Sequence, residues 1–144
     1  MTTQTEKQKL LCAPKDTDQY SIEWLEWTRA IRSLNDAFRL SFTSTELYCS
    51  PGILQRSVDD QSEILDRVRT YRAFNSITDP NHSHSHGFIV HKGHRVVWTI
   101  YCHEQDGSKE KKQMLNPLNI DLTKRHMMVM LDSEWWEDLP ENVF

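Results

Sequence analysis

Glycine is scarce in this chain, four in 144 residues, and no Gly-rich loop of the kind that cradles phosphate is present. A nucleophile-elbow motif and paired zinc-knuckle spacing are missing too. Cysteine is equally sparse. Cys12, Cys49 and Cys102 are an odd, unclustered set, which speaks against a disulfide framework and for reduced thiols in a cytoplasm. No run approaches the roughly 18 apolar residues of a membrane helix. The polar start, residues 1–9, lacks the apolar centre of a signal peptide. Basic residues are outnumbered as well. A net charge of −4 and a pI near 5.9 argue against direct nucleic-acid binding, yet the acidity is too slight for a strong DNA mimic.

What is present is enough for one modest core. Hydrophobic residues make up 38% and charged residues 26%, with five prolines, a balance that excludes wholesale disorder. The length fits a flexible leader over 1–18 and a single domain over 19–144.

Periodicity places the elements. Trp24, Trp27, Ile31, Leu34 and Phe38 recur at spacings of three and four, so a helix with one apolar face is expected over 21–40, capped by Ser21. Leu47 and Cys49 alternate with polar neighbours in a short strand over 45–49. Ser50-Pro51 opens a helical turn running to Gln55. Ser57, with Asp60 three residues on, opens a second long helix over 58–74 whose stripe is Ile64, Leu65, Val68 and Tyr71. Asp79-Pro80-Asn81 ends the helical half.

Beyond it the period becomes two. Strands over 87–91 and 94–103 join at Lys92-Gly93, and Val96, Trp98, Ile100 and Cys102 share one face of the second. A polar loop over 104–119 leads to a further short strand over 125–131. The expected fold is α+β, an antiparallel meander with two main helices packed on one face.

His82, His84 and His86 alternate, and in an extended segment three imidazoles converge on one side, an arrangement that suits zinc, nickel or copper. His91 and His94, at the hairpin, are further candidates. The plainer expectation is a polar entry loop, because only Asp79 offers a nearby carboxylate in the sequence; no metal or other cofactor is therefore assigned. Cys102 and His103 face opposite sides of a strand, so no thiol–imidazole pair forms there, and Cys49 and Cys102 read as small core residues. Asp59, Asp60, Glu63 and Asp66, laced with Arg56, Arg67 and Arg69, read as a solvated helix face. Lys109, Lys111 and Lys112 form a weak basic patch with no aromatic beside it. No catalytic residues are assigned.

The register of the second half resembles a family of small proteobacterial proteins known as a domain of unknown function. The matching positions are His84, Gly87, Gly93, Val96, Trp98, Ile100, Pro117, Thr123, Arg125, Val129-Met130-Leu131 and Glu134-Trp135. Asn35-Asp36-Ala37-Phe38-Arg39 resembles the family's entry segment, so the likeness spans about residues 30 to 136. One departure stands out: the family's His-Asp-Phe-Gly is His84-Ser85-His86-Gly87 here. The resemblance implies no reaction. Its members are often carried on plasmids and integrative elements, which implies an accessory role for mobile DNA.

The end of the chain carries the functional expectation. After Arg125 there is no Lys or Arg, while Asp132, Glu134, Glu137, Asp138 and Glu141 surround Trp135 and Trp136. Large aromatics ringed by polar groups are typical interface anchors. The expected protein is a non-enzymatic, cytoplasmic binding module in which Glu134, Trp135, Trp136, Glu137 and Asp138 meet a host protein or complex with a basic surface. Its narrower form is a counter-defence factor, anti-CRISPR or antirestriction. Two alternatives stand beside it: a small metal-dependent hydrolase or nuclease-like enzyme using the 82–86 histidines, and a self-associating structural protein, for example a homodimer.

Overall fold

A computed structural model describes residues 22–104, 118–121 and 123–135. The leader over 1–18, Ser21, the lysines of the 104–119 loop, Trp136, Glu137 and Asp138 lie outside the described residues. Along the chain come α1 (Ile22–Ser41), a 3-10 turn (Ser44–Glu46), β1 (Leu47–Cys49), α2 (Pro51–Leu54) and α3 (Val58–Arg69). Then follow β2 (His86–His91), β3 (His94–Glu104), β4 (Thr123–Leu131) and a closing 3-10 turn (Asp132–Glu134).

The strands form one sheet in the order β1-β4-β3-β2. β2, β3 and β4 make the expected antiparallel meander. Its hairpin turns at Lys92 and Gly93, both with positive φ (48° and 80°), the geometry of a two-residue turn that matches strand twist. β1 adds to β4 in parallel, Leu47 opposite Met127 and Cys49 opposite Val129, so the sheet is mixed and mostly antiparallel.

One face of the sheet offers Ile89, Val96, Trp98, Ile100, Met127 and Val129 to Phe42, Ile53, Ile64 and Val68 from the helical half, with Phe38 packed alongside. Both long helices therefore lie on that face, as the apolar stripes imply. Trp98 is fully buried at its centre. The opposite face is enclosed as well, since Val97, Met128 and Met130 are buried and pack with Tyr48, Phe88 and Tyr101. A strand covered on both sides loses its alternation and reads as one apolar run, which is how 127–130 reads.

Two expectations shift. α3 stops at Arg69, five residues before the expected end at 74, where Thr70 caps it through bonds to the Asp66 carbonyl. Tyr71 and Phe74, freed from the helix, stand edge-on to Trp98 at 5.3 and 6.0 Å. Gly87 lies opposite Trp98 across the β2–β3 pair, and a Cβ there would meet Trp98 Nε1 at 2.6 Å and the Tyr71 ring at 2.7 Å. The buried line of α1 is Thr28, Ile31, Asn35 and Arg39, one step around from the aromatic stripe, with Trp24, Trp27, Leu34 and Phe38 half-buried beside it. Three of those four buried residues are polar: Asn35 bonds to Ser83 of the loop and Arg125 of the sheet, and Arg39 bonds to Asp36 on α1 itself.

Candidate functional site

Two places gather the side chains that the sequence singles out. The first is the loop between α3 and β2, pinned onto α1. The Asp79 carboxylate, buried, accepts from the backbone N–H of Ser83 (3.1 Å) and His84 (3.3 Å), which winds the chain into a tight loop. His82 and His84 take positive φ (54° and 55°), a left-handed conformation that costs a non-glycine residue free energy.

That winding corrects the convergence of the three imidazoles. An extended strand would place them on one side, but two left-handed residues abolish the alternation. His82 is exposed. His84 turns to α1, where Nδ1 lies 2.8 Å from Asp36 Oδ1, and its ring stacks on Phe74 at 3.7 Å between centroids. His86 sits on β2 beside Phe88, on the sheet's opposite face. Asp36 also accepts from Arg39 (2.9 Å), whose guanidinium lies over Phe74 and Trp98. The carboxylate partner of His84 thus comes from 48 residues upstream, out of reach of local sequence reading.

Among the described residues, one set of ligating atoms does draw together: Asp60, Glu63 and His91. The Lys92 ammonium already sits on Asp60 at 2.7 Å, and His91 Nε2 is 3.1 Å from the same oxygen. Lys92 first and His91 second hold the Asp60 carboxyl down to about 2. This cluster closes the hairpin against α3. Cys49 is a half-buried residue of the core margin, and burial pushes its thiol up to about 11, which leaves it unreactive.

Beside the His84 loop lies a cavity of about 310 Å³. α1 contributes Trp24, Trp27, Thr28, Ile31 and Asn35; the loop contributes Asn81, Ser83 and Ser85; the sheet contributes Ile100, Cys102 and Arg125. Asn35 ties the walls together: its Nδ2 donates to the Ser83 carbonyl (2.9 Å), and its Oδ1 accepts from Arg125 Nε (2.8 Å). Burial draws the Arg125 guanidinium below its ordinary value, with Cys102 pulling the other way. Cys102 therefore lines a cavity, where the sequence placed it in the core. Thr28 and Ser83 carry no sequence signal of a site. Asn35 carries a faint one, a polar residue recurring with Thr28 and Arg39 along the buried side of a helix.

The second place is the corner where the chain leaves the sheet. Glu134 points inward. Its Oε1 accepts from Ser50 Oγ (2.6 Å) and the Leu131 N–H (2.9 Å), and its Oε2 from the Gly52 N–H (3.1 Å). Burial pushes this carboxyl up, but the three hydrogen bonds and nearby Arg56 outweigh it and leave the group below its ordinary value. Gly52 is needed there because a Cβ would fall 2.5 Å from Glu134 Oε1. Trp135 follows at once, outside the bonded knot and 38% exposed. Leu54, at the end of the short helix whose Gly52 bonds to Glu134, is exposed too. Of the five C-terminal residues expected to face a partner, then, Glu134 is fixed within the fold and Trp135 is at the surface.

No helix among the described residues is long and apolar enough to cross a membrane. Neither a curated protein nor a solved structure matches the chain. A family model does match, over residues 49–134, from the last residue of β1 to Glu134, so α1 with its Asn35–Arg39 segment falls outside it. That span is more than half of the chain, which belongs to the protein family of unknown function DUF3768.

Proposed function

We propose that the chain is a non-enzymatic protein-binding module that holds its partner at the Trp135 corner. The observation that carries the reading is a large indole presented at the surface by a turn that cannot easily move, because Glu134 beside it is held by Ser50, Leu131 and Gly52. A preorganised aromatic loses little entropy on docking, and such residues dominate interface energies. Sequence charge supports a basic partner surface. Glu137 and Asp138 follow after Trp136, and no Lys or Arg follows Arg125.

The hydrolase alternative rested on three convergent imidazoles, and His82, His84 and His86 diverge. Self-association through Trp135 is separated from a heterologous partner by the mass of the protein in solution. The narrower form of the proposal is a cytoplasmic accessory factor of a mobile element that binds a host defence complex, as an anti-CRISPR or antirestriction protein does. Its support is the family resemblance, not the geometry.

The test is capture from the native host with wild-type protein and with Trp135→Ala as paired baits. A host protein or complex enriched by the first and lost with the second, both baits folded, is the expected result. Identical captures by the two baits would remove Trp135 from the account.

A further inference from the structure

The cavity between α1, the His84 loop and the sheet has its own chemistry, independent of the Trp135 corner. One wall is apolar: Trp24, Trp27, Ile31 and Ile100. The other is polar and held in place by Asn35, which joins Ser83 to Arg125. Its hydrogen-bonding character is weighted toward donors. Ser83 Oγ and Ser85 Oγ are 3.0 Å apart, so whichever hydroxyl accepts keeps its own proton to give. Trp27 Nε1 is a donor only, and it is buried without a hydrogen-bond partner.

Thr28, which lines the same cavity and is 6% exposed, has its hydroxyl buried without a partner as well. Orphaned polar atoms are costly in a folded interior, and their presence beside a preformed cavity is a reason to expect a ligand. Arg125 adds positive charge to the wall, and no acidic side chain is among the described lining residues.

We propose that this cavity is a small-molecule site for a compact ligand with an aromatic or branched apolar body and a carboxylate at one end. The apolar body lies against Trp27, Ile31 and Ile100. The carboxylate accepts from the serine pair, Trp27 Nε1 and the Thr28 hydroxyl, in the field of Arg125. A volume of about 310 Å³ is at the lower end for small-molecule sites, which limits the ligand to roughly one substituted ring. The site draws its lining both from the family-matched region and from α1, which lies outside it.

The test uses the full chain and three probes of like size: benzoate, toluene and benzylammonium. Binding is followed by the indole N–H resonance of Trp27, identified with Trp27→Phe. Benzoate should bind about tenfold or more tighter than either other probe and shift that resonance. Thr28→Val, which replaces the orphaned hydroxyl with a methyl group, should weaken benzoate roughly threefold to tenfold while the melting temperature holds or rises. No benzoate binding, equal or tighter binding of toluene or benzylammonium, or benzoate affinity unchanged in Thr28→Val would each overturn the proposal. Because Trp135 is not in this site, Trp135→Ala should leave benzoate binding intact, which separates failure here from failure of the protein-binding reading.

Discussion

The Trp135 corner and the α1 cavity are built by the same device and put it to opposite ends. In each, a side chain from one end of the chain reaches across to residues far away in sequence: Glu134 to Ser50 over 84 positions, Arg125 to Asn35 over 90. At the corner the polar groups satisfy one another and turn inward, which leaves an indole outside. At the cavity the polar groups fix the wall but remain beside an interior space, with two indoles facing it. The first arrangement presents a surface; the second lines a pocket. A rigid polar tie is common to both, and what differs is where the aromatic residues are left.

The largest effect should come from removing the ring at the centre of the core that carries both regions. Trp98→Ala should cost roughly 3–5 kcal/mol, read as a large fall in melting temperature, because its ring is fully buried against Tyr71, Phe74 and Arg39. A melt unchanged by that substitution would mean that the sheet face is misassigned. Gly87→Ala should cost about 1–3 kcal/mol, since its Cβ would overlap Trp98 and Tyr71. It strains the core where β2 passes Trp98 and should leave partner binding by the folded fraction intact.

Trp135→Ala should instead cost about 2 kcal/mol of partner affinity. Its effect on stability should be well below that of Trp98→Ala, since Trp135 is 38% exposed and Trp98 is fully buried. The smallest effect is a titration. The folded Glu134 carboxyl lies below its ordinary value of 4.5, so its ionised form stabilises the fold fully above that pH, and the contribution is lost as pH falls through the lower folded value. Glu134→Gln should therefore melt below wild type at neutral pH, with the gap closing in acid. A gap independent of pH would show that the carboxylate charge is not what ties the corner.

Most of the architecture was legible because it is local. Apolar spacing marked α1 and α3, alternation marked β2 and β3, and Lys92-Gly93 marked the turn. The parallel partner of β1 was not legible, because pairing between 47–49 and 127–129 leaves no trace in either segment. The site residues divide along the same line. His84 stood out as one of an alternating set, but its partner is Asp36, and the left-handed backbone that turns it there depends on the buried Asp79. Glu134 looked like one acid among several in a tail, yet it is a structural tie to Ser50 and Gly52. Charge pattern does not say which of several carboxylates is bonded inward; only the meeting of distant segments does.

In the function proposed above, Trp135 serves binding more than folding. The direct measurement is the melting temperature and the partner dissociation constant of wild type and Trp135→Ala on the same preparations. A melt lowered far less than by Trp98→Ala, with a loss of affinity of about thirtyfold, equivalent to about 2 kcal/mol, is the expected result. A lowered melt with unchanged affinity of the folded protein would contradict it.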